Sequence, residues 1–365
     1  MSDVDAVVIG GGIAGVSIAY ELAEHVSVLL IEAERALATH TTGRSAAIYA
    51  PSYGAPTVRA LTVASGNRFT TLQTDLDLPP ILTPHASLWV ACDQPAVKAL
   101  RDRIRDGVVR ELTVAETLAL CPPLNPDRLR AAAVDDTAMD IDVMALHQGY
   151  VRGIKARSGR IQTGAPVHAV HRDSAAWTIH VGQQRFSTPL VVNAAGAWVD
   201  RIAELAGVPT IGIQPLRRTV ALASGAVPPD PAWPLVVDAL ERFYFRTEGT
   251  KILISPADET PSEPTDAKPD ELDIARALER INEVTTLGLR SVHTAWAGLR
   301  SFVPDRLPVV GCWPDHPGFA FFAGQGGYGI QMAPALAAAG AAILLDRPVP
   351  ADIAVRAEDL APRIS

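Results

Sequence analysis

The tightest constraint on this chain lies in its first residues. Gly10, Gly12 and Gly15 stand between an apolar run, Ala6-Val7-Val8-Ile9, and a stretch of helical periodicity over 13–24; a second apolar run, 26–31, ends on Glu32. Short apolar runs bounded by glycine read as buried strands, so the order is strand, glycine turn, helix, strand, acid. Each part of such a βαβ unit has a physical task. The first glycine allows the turn, the second lets backbone approach a pyrophosphate, and the third lets the helix pack close to the strand. The pyrophosphate then sits over unpaired N–H groups at the helix start, and Glu32 accepts hydrogen bonds from a ribose hydroxyl. A lone G-x-G-x-x-G also occurs in ordinary turns. Here strand, helix and acid all take their places, and the unit reads as dinucleotide-binding.

With 365 residues the chain exceeds one small core, and about two domains are expected. Its 48% hydrophobic and 20% charged content fits a soluble globular enzyme. A net charge of −8 argues against a nucleic-acid or anionic-membrane partner, because phosphates reward Lys and Arg. Cys92, Cys121 and Cys312 form no C-x-x-C pair, which gives no metal or disulfide signature and suits a reducing compartment. Asp3 and Asp5 precede the first apolar run, unlike a secretory leader. The Ala-rich stretch 332–345 falls short of the ~20 residues of a membrane span. The expectation is a cytoplasmic protein with no transmembrane segment and no metal.

Beyond Glu32 the segment 39–47 is rich in small and hydroxyl residues, suited to backbone wrapping a ligand with Arg44 free for a phosphate; a helix N-cap loop fits it equally. Helical patterning spans 57–76, 95–106, 114–120, 143–156 and 271–284. Strands are expected at 86–91, 166–171, 177–181 and 184–186, the last three as a small meander returning to a parallel sheet through 190–193, with more strands over 215–255. Residues 256–269 read as an acidic, proline-rich surface loop. Nucleotide-binding elements thus recur at the start, middle and end, so a second domain is inserted in pieces.

A second glycine cluster, Gly324, Gly326, Gly327 and Gly329, lies where a strand over 319–323 meets a helix. A second helix N-terminus brings a positive dipole end to an electron-rich part of a cofactor. That serves a flavin, whose N1–C2=O edge gains negative charge when hydride reaches N5, more than a nicotinamide; a plain strand-to-helix turn remains the other reading.

Six blocks in order carry a resemblance over nearly the whole chain. They are the 10–32 unit, Thr42-Gly43-Arg44-Ser45-Ala46-Ala47, Ala145-Leu146-His147-Gln148-Gly149-Tyr150, Val192-Asn193-Ala194-Ala195-Gly196-Ala197-Trp198, Thr294-Ala295-Trp296-Ala297-Gly298-Leu299-Arg300 and Gln325-Gly326-Gly327-Tyr328-Gly329-Ile330-Gln331. Together they resemble the FAD-dependent amine and D-amino-acid oxidoreductases (D-amino-acid oxidase, glycine oxidase, sarcosine oxidase), most strongly the bacterial D-arginine/D-amino-acid dehydrogenase branch. The resemblance implies an α/β (α+β) fold: a Rossmann-like FAD-binding domain with an inserted antiparallel-sheet substrate domain. The FAD domain would take 1–81, 142–218 and 296–365, and the substrate domain 82–141 and 219–295. It implies non-covalent FAD, since Cys312 does not align with the attachment cysteine of relatives. Carried over, the cofactor residues are Gly10, Gly12, Ile13, Ala14, Gly15, Glu32, Arg44, Ser45, Ala46, Val167, Ala195, Gly196, Gly327, Gly329, Ile330 and Gln331.

At the substrate end, Arg300 is the candidate cation for an amino-acid carboxylate, its guanidinium fork matching a carboxylate bidentately; a surface ion pair is the bland reading. Tyr244 resembles the family tyrosine that hydrogen-bonds the same carboxylate, and Tyr53 resembles a loop tyrosine closing over the substrate. Ile48, Ser87, Gly327 and Gln331 complete the implied pocket, to which Trp89 and Phe245 are added. Basic-specific relatives carry glutamate where this chain has Ser87 and histidine where it has Ile48. A neutral or apolar side chain is therefore expected, unless an acid such as Glu241 reaches the pocket. His25, His147 and His293 read as structural. The implied reaction is hydride transfer from Cα of a D-amino acid to flavin N5, with hydrolysis of the imino acid to a 2-oxo acid and ammonia, and no dedicated general base. Oxygen, a quinone or a dye would take the electrons. A glycine/sarcosine-type secondary-amine oxidase, a non-catalytic FAD-binding subunit and a nicotinamide dehydrogenase are the competing readings.

Overall fold

The computed structural model describes residues 2–107, 109–173 and 176–363. Its centre is a six-stranded sheet in the order Arg160–Gln162, Val28–Ile31, Ala6–Ile9, Leu190–Asn193, Phe319–Ala323, Val309–Cys312. All neighbours are parallel except the last pair. These strands are nearly unbroken apolar runs because both faces are covered. Alternation divides them: Ala6, Val8, Leu30 and Val192 join one core with the helices Ile13–Leu22, Val143–Ala156 and Gly329–Leu344. Val7, Ile9, Leu29, Ile31 and Val191 point the other way, onto Val170, Trp177, Ile179 and Phe186 of the expected meander. That meander, Val167–Asp173, Ala176–Val181 and Gln184–Thr188, is antiparallel, and Ser2–Asp3 joins its edge in parallel. The Ala-rich stretch near the C-terminus is the buried helix Gly329–Leu344, and no described helix is long and apolar enough to cross a membrane.

The second layer is a nine-stranded sheet that roofs the first domain. Its strands run Thr260–Pro261, Gln214–Ser224, Lys251–Ser255, Tyr244–Glu248, Leu235–Asp238, Ser87–Ala91, Ala131–Asp135, Arg110–Leu112, with Ser291–Phe302 also paired to Gln214–Ser224. Where the sheet was expected to be antiparallel, one pair departs: Leu235–Asp238 and Ser87–Ala91 are parallel. These two strands come from separate inserted segments, so no hairpin dictates their direction. The expected boundaries at 218/219 and 295/296 fall inside Gln214–Ser224 and Ser291–Phe302. The passage between layers is made by two long paired strands rather than by linkers. A three-stranded patch of Ile48–Tyr49, Met139–Ile141 and Leu82–Pro84 further ties the layers together.

The back of the roof is a dry core of Leu88, Val90, Val236, Phe245, Ile252 and Ile254 under the helix Glu271–Val284. Its front faces the nucleotide sheet, with the site between them.

Candidate active site

One cavity of about 590 Å³ runs between the layers, from Glu32 and Val167 at one end to Ser87 and Arg246 under the roof. Of the residues expected at the site, Gly10, Gly12, Ile13, Ala14, Glu32, Arg44, Ser45, Ala46, Val167, Ala195 and Gly196 line it, as do Ile48, Tyr53, Ser87, Tyr244, Arg300, Gly327, Gly329, Ile330 and Gln331. Gly15 does not. A Cβ there would lie 1.7 Å from the Gly10 carbonyl oxygen, so this glycine seats helix on strand from beneath.

The glycine turn is braced from several directions. Gly10 has φ +113° and donates to Ile31 O at 2.8 Å. The first helix has Gly12 at its N-cap, which offers no side chain; Thr42 Oγ1 accepts from Ile13 N at 2.9 Å instead. His147 Nε2 donates to the Gly11 carbonyl at 2.9 Å, and burial lowers its pKa, keeping it a neutral donor. Glu32 is oriented by Gly11 N at 2.6 Å and Glu34 N at 2.7 Å, one on each oxygen. Each oxygen keeps a lone pair, enough for two ribose hydroxyls. A Cβ on Gly12 would meet only Thr42 Oγ1, at 3.2 Å, so the space above the turn is open for a diphosphate.

Arg44 is placed differently from the expectation of a phosphate ligand. It lines the cavity, but its guanidinium bonds Asp266 at 2.5 Å and the carbonyls of Ala267 and Ala297 at 3.1 Å. Lys268 and Arg44 hold Asp266 down to about 2, so this pair stays ionised. Phe245 is corrected outright. Adjacent strand residues face opposite ways, and with Tyr244 on the cavity Phe245 lies in the dry core behind. Trp89 does line the cavity, with Arg103 stacked at 4.0 Å over its ring. His25 and His293 are exposed.

The second glycine turn is shaped around Arg300. Gly324 and Gly326 have φ +68° and +54°. A Cβ on Gly327 would lie 1.7 Å from Arg300 Nη2, so the guanidinium occupies the space a side chain there would need. Arg300 is only 8% exposed. Its Nη2 donates to Tyr53 Oη at 3.1 Å and its Nη1 to Glu259 Oε1 at 3.2 Å, with the rings of Phe302 and Tyr328 alongside. Burial raises the Tyr53 pKa, so it remains a phenol; its O–H donates to Glu241 Oε2 at 2.9 Å. Glu241 thus lines the cavity, with its other oxygen taken by Arg103 at 3.0 Å.

Arg218 escaped the sequence reading. It lines the same cavity, and its Nη2 lies 3.4 Å from the Glu259 oxygen that Arg300 also uses. Arg306 takes Glu259 too, at 2.8 and 3.1 Å. Burial by itself would raise the Glu259 carboxyl, yet Arg306, Arg300 and Arg218 hold it low. Three cations share one carboxylate; Arg300 and Arg218 line the cavity, while Arg306, its side chain 43% exposed, stands outside the lining. The only signal in sequence was alternation: Leu216, Arg218 and Val220 share a face with the partner strand's Arg300.

The residues fit a flavin dinucleotide. The turn at Gly10 to Gly15 and Glu32 provide for diphosphate and ribose, and the helix Gly329–Leu344 points its N-terminus at the cavity. Gln331 Oε1 accepts from Ala50 N, while its Nε2 is buried without a partner, a donor awaiting an acceptor. No described residues group to hold a metal ion.

Fold and cavity together define a dinucleotide-dependent oxidoreductase. The chain matches the family DAO, FAD dependent oxidoreductase, over residues 5–343, and belongs to it; its cofactor is FAD. It is 27% identical over 400 residues to mouse FAD-dependent oxidoreductase domain-containing protein 1, covering 94% of this chain and 81% of that protein. Among solved structures, glycine oxidase from Geobacillus kaustophilus matches with TM-score 0.85 and 19% identity over 100% of both chains. L-proline dehydrogenase from P. horikoshii matches with TM-score 0.84 and 20% identity over 99% of this chain and 97% of that one.

Proposed function

We propose that this protein oxidises the Cα–N bond of an α-amino acid, with the substrate carboxylate on Arg300. The observation that carries this reading is the buried Arg300 on the cavity wall, which with Arg218 and Arg306 shares the single carboxylate Glu259. An anion entering the cavity meets Arg300 and Arg218 on its wall, and a guanidinium fork orients a carboxylate in two directions. Tyr53, bonded to the same guanidinium, and Tyr244, on the roof, confine the substrate above the second glycine turn. Bound FAD, held non-covalently, supplies the hydride acceptor at its N5. The protein contributes position and a fixed field, and no side chain is assigned as general base. Glycine oxidase and L-proline dehydrogenase, both acting on amino acids by name, support the amine class.

D-configuration follows the resemblance of the sequence. Ile48, Ser87, Trp89, Val237 and Leu253 line the cavity, which supports neutral or apolar side-chain matter over basic, since Glu241 is already engaged by Tyr53 and Arg103. The three free cysteines keep a cytoplasmic setting part of the proposal. Anaerobic bleaching of the flavin by a panel of D- and L-amino acids and N-methyl amino acids tests the reading. Bleaching by D-amino acids is expected. Preference for N-methylglycine would instead establish a glycine/sarcosine-type oxidase, and no bleaching by any amine refutes the proposal.

A further inference from the structure

The roof carries a cation that the carboxylate anchor does not use. In the sheet register Ser87 pairs with Leu235, and Arg246 pairs with Leu253. One step along from the Val236–Phe245 pair, Leu235 stands opposite Arg246. Ser87, Leu235, Arg246 and Leu253 therefore form one row on one face, and all four line the cavity. Two strand spacings put the Ser87 and Arg246 backbones about 10 Å apart, much of which the arginine side chain spans.

Arg246 and His85 meet two carboxylates, Asp140 and Glu248. Its Nη1 bonds Asp140 Oδ1 at 2.5 Å and its Nη2 bonds Glu248 Oε2 at 2.9 Å. The other Asp140 oxygen lies 2.7 Å from His85 Nδ1, while His85 Nε2 lies 2.9 Å from the Trp233 carbonyl. Both ring nitrogens face acceptors, a carboxylate and a carbonyl, an arrangement that the doubly protonated imidazole satisfies. The hydrogen bond to Asp140 raises the His85 pKa in the same sense. Asp140, its side chain 36% exposed, is thus divided between Arg246 and His85, and Glu248, 46% exposed, is screened by water. Arg246 Nε is closed off from water without any acceptor.

The geometry points to Arg246, with the Ser87 hydroxyl in its row, as a recognition site for a second carboxylate at the far end of the substrate. The substrate class is then an amino dicarboxylic acid. This rests on the reading that Arg300 holds the α-carboxylate, and it replaces the neutral or apolar side chain proposed above with an apolar stem that carries an anionic tip. Leu235, Leu253 and Ile48 suit the methylenes of such a stem.

The test uses the FAD-loaded enzyme and two readouts. Anaerobic flavin reduction is measured with the D-acids glutamate, 2-aminoadipate and 2-aminopimelate against norleucine and lysine. At least one dicarboxylate is expected to exceed norleucine in kcat/KM, with lysine lowest. Arg246→Gln should lower the acidic-to-neutral ratio at least about thirtyfold, the loss expected for a desolvated charge pair, and Arg246→Lys should restore part of it. Separately, unreactive dicarboxylates (glutarate, adipate, pimelate) and the matched monocarboxylates are titrated against the oxidised flavin spectrum, where one dicarboxylate should bind at least tenfold tighter. Norleucine preferred to every dicarboxylate, or a ratio unmoved in Arg246→Gln, overturns the inference while leaving amino-acid oxidation standing. If no amino acid reduces the flavin, the oxidase reading fails and the unreactive titration still decides for or against Arg246. Should Arg246→Gln lose its flavin, the ligand order in the unaltered enzyme decides.

Discussion

Gly327→Ala perturbs the anchor without touching its charge. A Cβ at this position would lie 1.7 Å from Nη2, 2.0 Å from Nε and 2.1 Å from Cζ of Arg300. Relaxed contacts need about 3.5 Å, so the guanidinium must retreat by roughly 1.5 Å or more. It has nowhere to retreat with its partners intact. Tyr53 at 3.1 Å and Glu259 at 3.2 Å fix its two ends, and the ring centroids of Phe302 and Tyr328 stand at 5.5 and 5.7 Å. A misplacement of about 1 Å in a positioning group costs on the order of a hundredfold, and losing a desolvated charge pair costs about 2–5 kcal/mol. We therefore expect kcat/KM for the amino-acid substrate to fall at least about a hundredfold, with FAD still bound. Steady-state kinetics and anaerobic flavin reduction read the loss, and the flavin spectrum shows that the cofactor stays. Because both changes disable one device, Gly327→Ala combined with Arg300→Met should be hardly worse than Arg300→Met alone. Activity of Gly327→Ala within threefold of the unaltered enzyme, or losses that simply add, would refute this account of the anchor.

Other expectations follow from the cofactor end. Gly15→Ala sets a Cβ 1.7 Å from a backbone oxygen, Gly10 O, so a loss beyond about 4 kcal/mol and a colourless product are expected, read by flavin-to-protein absorbance and thermal melting. Thr42→Val removes the cap on Ile13 N and should cost about 1 kcal/mol, with FAD affinity falling several-fold in fluorescence titration. Glu21 lies deep enough that burial, opposed by Arg157 and Arg68, pushes its carboxyl up to about 7. A raised carboxyl means the folded state holds a proton the unfolded chain releases, so its contribution to stability falls as pH rises from the ordinary carboxylate range to about 7, then levels. Glu21→Gln should accordingly gain in Tm over the unaltered protein across that window and hold the gain above it; a pH-independent difference would count against the burial of this group.

How much of this was legible depended on how far apart the deciding groups lie in the chain. The βαβ unit could be read because its constraints are steric and local: Gly10 must turn, and Gly15 must let two backbones meet. The helices Val143–Ala156 and Glu271–Val284 begin where expected because Asp142 and Asp270 cap them from the adjoining position. The cap of the first helix was hidden for the opposite reason, since Thr42 reaches Ile13 from another turn of chain. Phe245 was misplaced although alternation alone forbids two neighbours from sharing a strand face. Arg44 was assigned by what arginine favours, a phosphate, and that preference is met instead by Asp266 from the acidic loop. Arg218 and Arg300 come together only through the pairing of Gln214–Ser224 with Ser291–Phe302, and Arg246 meets Asp140 and His85 only through the packing of the inserted segments. Backbone sterics write themselves into short spacings. The balance of charge in a site is set by register and packing between distant segments, so the steric turn at Gly10 to Gly15 could be read in the sequence while the partners of Arg44, Arg218 and Arg246 could not.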